Sequence, residues 1–172
     1  MKKITLIIIN LCISIYVFGQ TTDIMTIVLP TGSEKLTEQQ YDTFLNTHFS
    51  SKVIHHYTNN VYKNGDIIFS YDNLSVQPLF KRSLEAAQIE FTSLNKNMGK
   101  KVIIDSKIAT YNNIRFCIIE YYRDNDYTIQ FFSDYDNKLR FINGQVLFNK
   151  KDQTGAHQYL ESILQNVHFT NN

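Results

Sequence analysis

Two adjacent histidines, His55 and His56, are the residues of this sequence that most resemble a pair of metal ligands. Successive side chains of a strand point to opposite faces, so these two imidazoles cannot hold one ion without irregular backbone. The other three histidines, His48, His157 and His168, have no histidine or cysteine one helical turn away that could complete a site. The pattern favours surface or half-buried histidines, and we predict neither a metal ion nor a cofactor.

Cys117 is the residue that could act as a nucleophile. A thiol needs a lowered pKa and access to substrate for that role. Cys117 instead lies in the middle of the apolar run 115–119, which predicts a strand. We therefore predict a packed core cysteine rather than a nucleophile.

Glu120 is the one acid embedded in an apolar strand, between Ile118-Ile119 and Tyr121-Tyr122. Acid–base catalysis by a carboxylate pair would need a second carboxylate at a suitable spacing, and the sequence offers none. We expect Glu120 at a sheet edge or on a solvent-exposed face, in preference to a buried functional carboxylate.

The stretch 134–137, Asp-Tyr-Asp-Asn, resembles the first ligands of a calcium loop. Such a loop has glycine at its sixth position and glutamate at its twelfth, where this chain has Leu139 and Gln145. The stretch therefore predicts a polar turn between strands. The sequence also lacks a Gly-rich phosphate loop, a Gly-x-Ser-x-Gly elbow and a His-Glu-x-x-His helix. We predict no catalytic residues and no enzyme, and no binding residue can be named.

The elements that position these residues begin with a strand and a helix. Residues 23–29 alternate weakly between apolar and polar and end at Pro30, which predicts a first strand and a turn. Thr37 and Gln40 have the spacing of a capping box, which predicts a helix that follows to about residue 49.

A hairpin and a long helix follow. The stretch 53–70 is rich in Val, Ile, Tyr and Phe around Asn64-Gly65, which predicts a hairpin with a tight turn. Pro78 and Gly99 bracket the clearest helix of the chain. Its apolar residues recur at spacings of three and four, and they are Phe80, Leu84, Ala87, Phe91, Leu94 and Met98.

The second half of the chain predicts a meander and a closing helix. The predicted strands are 102–111, 114–122, 127–133 and 139–148. A further break at Asn143-Gly144 would make five strands instead of four. Asp152 or Thr154 caps the last helix, and the residues from Phe169 onward are expected to fray.

The first 19 residues have the pattern of a cleaved export signal. Lys2 and Lys3 precede an almost unbroken apolar run over 4–18, and cleavage is predicted before Gln20. The run is too short to span a bilayer comfortably, and no stop-transfer charges follow it. The sequence predicts export to the periplasm or the exterior of a bacterial cell, with 20–172 as one mature domain. An uncleaved anchor is the alternative.

Charge and cysteine content restrict the partners of the mature chain. The leader holds two of the 17 basic residues and none of the 16 acidic ones, which leaves 15 basic against 16 acidic residues. This balance argues against a nucleic-acid or anionic-membrane partner. Cys12 lies in the leader, and the Ile9-Asn10-Leu11 before it lacks the small residues of a lipidation site. Its loss leaves Cys117 alone, so no intramolecular disulfide can form.

The order of elements predicts an α+β fold with an antiparallel meander packed between helices. Four stretches of the chain resemble the Mog1/PsbP-like family: Ile27–Pro30, Asn112–Phe116, Phe141–Phe148 and Ile163–Phe169. The resemblance is one of element order and apolar positions over most of the mature chain, and it implies an antiparallel sheet sandwiched by helices. A cystatin or nuclear-transport-factor type of α+β fold is the alternative.

The resemblance implies binding more than catalysis. Members of that fold mostly bind other proteins, as photosystem subunits, small-GTPase partners or secretion-effector chaperones. No functional residue carries over, because the family has no shared active-site motif. We therefore predict an exported accessory protein that contacts another protein, with a toxin-neutralising immunity or inhibitor protein as one form of it.

Two further hypotheses remain. Seven tyrosines fall on strands or turns, where they form either a protein-contact surface or, as we favour, the amphipathic rim of the core; they are Tyr57, Tyr62, Tyr111, Tyr121, Tyr122, Tyr127 and Tyr135.

A small-ligand carrier would instead have a cavity between sheet and helix, lined by groups such as Phe80, Leu84 and Phe91.

Overall fold

The structure is a computed structural model, which describes residues 25–49, 57–97, 101–124 and 126–170. The predicted leader and the histidine pair lie outside these described residues. The helices are α1 (Glu38–His48), α2 (Leu84–Asn97) and α3 (Gln153–Asn166). The strands are β1 (Met25–Thr26), β2 (Glu34–Lys35), β3 (Asn60–Asn64), β4 (Ile67–Ser75), β5 (Val102–Tyr111), β6 (Ile114–Arg123), β7 (Asp126–Ser133), β8 (Arg140–Asn149) and β9 (His168–Phe169).

Seven of these strands form one antiparallel sheet in the order β2-β3-β4-β8-β7-β6-β5. The predicted meander is confirmed, because β5, β6, β7 and β8 are neighbours in chain order. The predicted hairpin is also confirmed as β3 and β4, and it joins the meander through β8. β8 runs unbroken through Asn143 and Gly144, so the meander has four strands rather than five.

Tight turns fix the register of this sheet. Asn112 and Asn113 connect β5 to β6, and both have positive φ, at 46° and 64°. Two central residues with positive φ make a type I′ turn, whose twist matches that of antiparallel strands. Gly65, at φ 59°, plays the equivalent part between β3 and β4. Asparagine and glycine are the residues that adopt this conformation at least cost.

Side chains alternate along each strand, and the helices cover both faces. Phe116 and Ile118 of β6 point to the face on which Leu160 and Ile163 of α3 pack. Cys117 and its alternate neighbours point to the opposite face, where α2 covers β6. α1 lies on that same opposite face, over the strands at the other end of the sheet. The result is an α/β/α sandwich with α3 on one side and α1 and α2 on the other, which confirms the predicted α+β class.

The start of α1 is the capping box that the sequence predicts. The Thr37 amide donates to Gln40 Oε1 at 2.9 Å, and the Gln40 amide donates to Thr37 Oγ1 at 3.3 Å. Leu36 and Tyr41 flank the cap and are both buried in the cluster under α1. The pair fixes the angle at which the chain enters the helix.

α2 starts later than predicted. Pro78 opens a short 3₁₀ turn that ends at Phe80, and α2 begins only at Leu84. Ser83 provides the missing signal, because its Oγ accepts from the Ala86 amide at 3.1 Å, which is the contact of an N-terminal cap. None of the three described helices is long and apolar enough to cross a membrane.

The two ends of the described chain pair with each other. Met25 lies opposite Phe169 in an antiparallel bridge between β1 and β9. The first strand is therefore only two residues long, and the prediction that the chain frays from Phe169 is wrong for that residue. Phe169 packs against the core cluster under α3, and apolar burial outweighs the tendency of a terminus to fray.

Tyr41 is fully buried, and its hydroxyl has no hydrogen-bond partner among the described residues. Burial, with a smaller contribution from Asp42, raises its pKa well above 10. A buried hydroxyl without a partner costs free energy, so Tyr41→Phe should leave the unfolding free energy unchanged or raise it by about 1 kcal/mol. Tyr57→Phe is the control, because the Tyr57 hydroxyl donates to the Leu36 carbonyl at 3.2 Å, and its loss should destabilise the protein.

Because the pKa of Tyr41 is raised, we expect the protein to lose stability at alkaline pH. In the unfolded chain Tyr41 loses its proton near pH 10, while the folded protein retains it. The native state then binds more protons than the unfolded state, so the unfolding free energy falls as the pH rises above 10. Urea denaturation between pH 8 and pH 11 measures this slope. An unchanged slope in Tyr41→Phe would contradict the assignment.

Candidate functional site

Glu120 lies in the interior, so the expectation of an edge or solvent-exposed position is wrong. Its β6 backbone pairs with β5 on one side and β7 on the other, and its side chain is only 4% exposed. Gln153 Nε2 donates to Glu120 Oε1 at 2.7 Å, and His157 Nε2 lies 3.1 Å from Oε2. We call these three residues the Glu120 cluster. Gln153 and His157 lie in the first turns of α3, and both contact the Glu120 carboxylate. Burial of this carboxylate is tolerated because its oxygens have hydrogen-bond partners.

The sequence contained a signal for the two partners of Glu120. Gln153 and His157 are four residues apart, so they lie on one face of α3. Ala156 and Leu160 belong to the buried side of the same helix, which places the polar pair beside the buried stripe. A polar i, i+4 pair at that place indicates a buried polar partner on the sheet.

The chemistry of the Glu120 cluster is limited by its own hydrogen bonds. A carboxylate that orients an imidazole can serve as a general base. Here both Glu120 oxygens and His157 Nε2 are engaged within the cluster, and Ile129 is the neighbour of Glu120 on β7. Within the described ranges no three His, Cys, Asp or Glu side chains come together in a way that could hold a metal ion. The cluster thus fastens α3 to the sheet.

The other described histidines lie on separate elements. His48 stacks on Phe44 with ring centroids 4.0 Å apart, and its Nε2 is 3.8 Å from Asp66. His168 is exposed on β9. With His157 on α3, the three described histidines lie on α1, α3 and β9.

Cys117 is fully buried among Leu84 of α2 and Ile119 of its own strand, which confirms the predicted core cysteine. Burial, with a smaller contribution from Glu85, raises the pKa of its thiol to about 11. A thiol with that pKa carries almost no thiolate at neutral pH and is a poor nucleophile.

Thiol labelling tests this assignment of Cys117. A maleimide should leave Cys117 unmodified in the native protein for hours and modify it fully in guanidinium, because labelling then requires unfolding. Peptide mapping by mass spectrometry locates the label. Rapid modification in the native state would contradict the buried position.

The polar turn predicted at 134–138 is confirmed. Asp136 Oδ1 accepts from the amides of Lys138 and Arg140, each at 2.8 Å, and Oδ2 accepts from Arg140 Nε at 2.6 Å. The Asp136 carboxylate thus organises its own turn and pairs with a guanidinium, which occupies the oxygens that a calcium ion would need.

The tyrosines do not form one contact surface. Tyr121 is buried against α2, whereas Tyr62, Tyr111 and Tyr127 pack from the rim against the core under α3. Tyr122 and Tyr127 stack on each other with centroids 5.5 Å apart. The interpretation as the rim of the core is confirmed for Tyr62, Tyr111 and Tyr127, whereas Tyr121 belongs to the core itself.

Three of the six large apolar side chains that are exposed among the described residues lie on α2 and on the 3₁₀ turn before it. Leu79 is 90% exposed, Ile89 is 65% exposed and Leu94 is 54% exposed. We call these three residues the α2 surface. Leu84 and Phe91 of the same helix pack against the sheet, so α2 has apolar side chains both toward the core and away from it. A surface helix normally has polar residues on its outer side, so the exposed Ile89 and Leu94 depart from that pattern.

A cleft of about 450 Å³ lies between α1 and the strands β2 and β3. Leu36 and Phe44 form its apolar part. Glu34 and Lys63 form an ion pair of 3.0 Å at its rim. The volume falls within the range of small-molecule sites. The cavity predicted beneath α2 stays a prediction; two of its expected lining residues, Leu84 and Phe91, pack against sheet side chains.

Comparison with known proteins addresses the fold. No family model matches the chain, and no curated protein matches it in sequence. Among solved structures it is similar to the solution structure of cyanobacterial PsbP (CyanoP) from Synechocystis sp. PCC 6803. The TM-score is 0.56 at 10% sequence identity, and the match covers 90% of this chain and 92% of that chain. Helices on both faces of the sheet also distinguish the fold from the cystatin alternative, and the chain has a PsbP-like α+β fold.

Proposed function

We propose that this protein is an exported accessory protein that binds another protein and catalyses no reaction. The observation that carries the proposal is the α2 surface, where Leu79 of the 3₁₀ turn and Ile89 and Leu94 of α2 expose large apolar side chains. Apolar groups that face water are stabilised when a partner covers them. An immunity or inhibitor protein, which neutralises a toxin by covering it, is one form of this function.

The polar groups of the structure support binding over catalysis. Glu120 and His157 bond to each other and hold α3 on the sheet. Cys117 is buried, and Asp136 is engaged by Arg140. Each of these four groups is thus buried or engaged within the fold. The resemblance to the Mog1/PsbP-like family, whose members mostly bind proteins, points the same way. Export to the periplasm or the exterior is proposed from the leader sequence.

Affinity capture tests this function. The tagged full chain is expressed in its producer, crosslinked in the cell envelope and captured, and the bound proteins are quantified by mass spectrometry. We expect one partner near one-to-one with the wild type and its loss, by at least about tenfold, with Leu79→Ser/Leu94→Ser. Val28→Ser is the control, because Val28 is 53% exposed and lies in the segment after β1, far in sequence from α2. Equal capture by the double variant and the wild type would contradict the proposal.

The cleft between α1 and β2–β3 favours a second candidate function, a small-ligand carrier. Thr43 lies on the cleft wall and is exposed, so Thr43→Trp should fill the cleft without disturbing the core. Native mass spectrometry of the purified protein should then show a small molecule bound to the wild type and absent from the variant. Wild-type protein with the bare chain mass would contradict the carrier function.

A further inference from the structure

At one side the sheet ends in a long strand whose outer edge pairs with no other strand that the structure describes. β5 has ten residues and, among the described strands, pairs with β6 alone, whereas the opposite edge strand, β2, has two. An unpaired edge presents a row of backbone N–H and C=O groups that another strand can use. The edge of β5 is therefore the longest unpaired edge among the described strands.

The register of the hairpin shows which β5 residues point outward. Tyr111 pairs with Ile114 across the two-residue turn, and in such a turn the closing pair exchanges its hydrogen bonds. Hydrogen-bonded and non-hydrogen-bonded pairs alternate along an antiparallel ladder. The N–H and C=O groups of the residues at alternate positions, Ser106, Ile108 and Thr110, therefore point away from β6.

A second β5 strand can pair antiparallel with the first only if outward residues face outward residues. In such a symmetric pair, one residue, the centre of symmetry, faces its own copy. Three residues near the middle of the strand can take this position. A centre at Ile108 places Asp105 opposite Tyr111, and a centre at Lys107 places two lysines opposite each other. A centre at Ser106 places each Asp105 opposite the Lys107 of the other copy. Charge complementarity thus selects Ser106, because opposite charges stabilise a cross-strand pair and like charges destabilise it.

We propose that two copies of this chain pair through their β5 edges, antiparallel about Ser106, so that Asp105 of each copy bonds Lys107 of the other. Asp105 and Lys107 are exposed and already share one face of the strand, with Lys107 Nζ 3.9 Å from Asp105 Oδ2. In the pair, four charges of alternating sign lie side by side.

The same charges protect the edge in the single copy, which makes the dimer reversible. Asp105 Oδ1 accepts from the Ser106 amide at 2.8 Å, so this outward N–H is not left bare. A bulge between Ile103 and Asp105 interrupts the ladder at the start of the strand. Charges and bulges limit edge pairing, so the interface is short and belongs to the weak, concentration-dependent class.

Cysteine scanning tests the register. In a Cys12→Ser background, Ser106→Cys should crosslink two copies of the full chain under mild oxidation, since the facing Cα atoms of a hydrogen-bonded pair are about 5.5 Å apart. Lys107→Cys and Ile108→Cys report the two competing centres. Cys117 does not interfere because it is buried. Stronger crosslinking at 107 or 108 than at 106, or none at all three, would overturn the proposal.

Variants that reverse the charge of Asp105 or Lys107 test the proposed attraction between these residues of the two copies. Sedimentation equilibrium up to about 0.5 mM measures the dimer dissociation constant. Asp105→Lys and Lys107→Asp should each raise that constant roughly tenfold, because both symmetry-related pairs change from attraction to repulsion. The double exchange Asp105→Lys/Lys107→Asp should restore it. A wild type that stays monomeric would overturn the proposal. So would a double-exchange variant that has native circular dichroism but does not regain the wild-type dissociation constant. Neither residue belongs to the α2 surface, so this outcome is independent of partner capture.

Discussion

Gly144→Ala is expected to destabilise the protein by about 3 kcal/mol or more, because the added methyl group has no space. A Cβ at Gly144 would overlap the ring of Phe131, with Phe131 Cε1 at 2.7 Å, and would lie 2.7 Å from the backbone oxygen of Ser70. Phe131 faces Gly144 across the ladder and is itself stacked on Phe69 at 5.8 Å. The ring cannot move outward and the Ser70 backbone cannot yield, so strands β4, β8 and β7 must separate locally.

Thermal unfolding measures this effect, and we expect the melting temperature to fall by roughly 10 °C in a chain of this size. Gly155→Ala is the control. A Cβ at Gly155 would be 3.5 Å from Ile67 Cδ1, which is ordinary contact, and alanine in a helix is favoured over glycine by about 1 kcal/mol. Gly155→Ala should therefore be neutral or stabilising. Equal stability of the two variants would contradict the packing of Phe131 over Gly144.

The double substitution Gln153→Met/His157→Leu should destabilise the protein by about 3–5 kcal/mol, because it leaves the Glu120 carboxylate buried without a partner. Either single substitution leaves one hydrogen bond in place and should cost less, about 1–3 kcal/mol. The measurement is urea denaturation at pH 7, where the midpoint falls while the slope stays constant if only the folded state is affected.

A rescue experiment separates the loss of the partners from damage to α3. Adding Glu120→Met to the double variant removes the buried charge and should recover most of the lost free energy, since apolar groups can replace a buried polar network at little cost. Gln165→Met/His168→Leu is the matched control for the substitutions themselves, because both residues are exposed. If the triple variant were as unstable as the double variant, the loss would come from α3 and not from Glu120.

Elements with local signals could be predicted from the sequence. The capping box of Thr37 and Gln40 depends on residues three apart, and the asparagine pair at 112–113 has the conformation that its turn requires. The strands of the meander follow from β-branched and aromatic runs between such turns. Cys117 was also placed correctly, because an apolar strand in the middle of a meander is buried on both faces.

Features that depend on distant residues could not be predicted. Glu120 looks like an edge residue until α3 brings Gln153 and His157 onto it, more than 30 residues later in the chain. Gly144 looked like a turn, since glycine often ends a strand, but its role is to admit the ring of Phe131. The bridge of β1 with β9 joins the two ends of the described chain, and neither two-residue strand has a signal of its own.

The central claim is that the α2 surface binds another protein, and site-specific crosslinking tests it most directly. A photoreactive amino acid replaces Leu94 in one variant and Glu161, an exposed residue of α3 on the opposite face, in the other. Both full chains are expressed in the producer and irradiated in intact cells. The account predicts one crosslinked partner from position 94 and none from position 161. Folded protein that gives no crosslink at 94, or the same products at both positions, would contradict it.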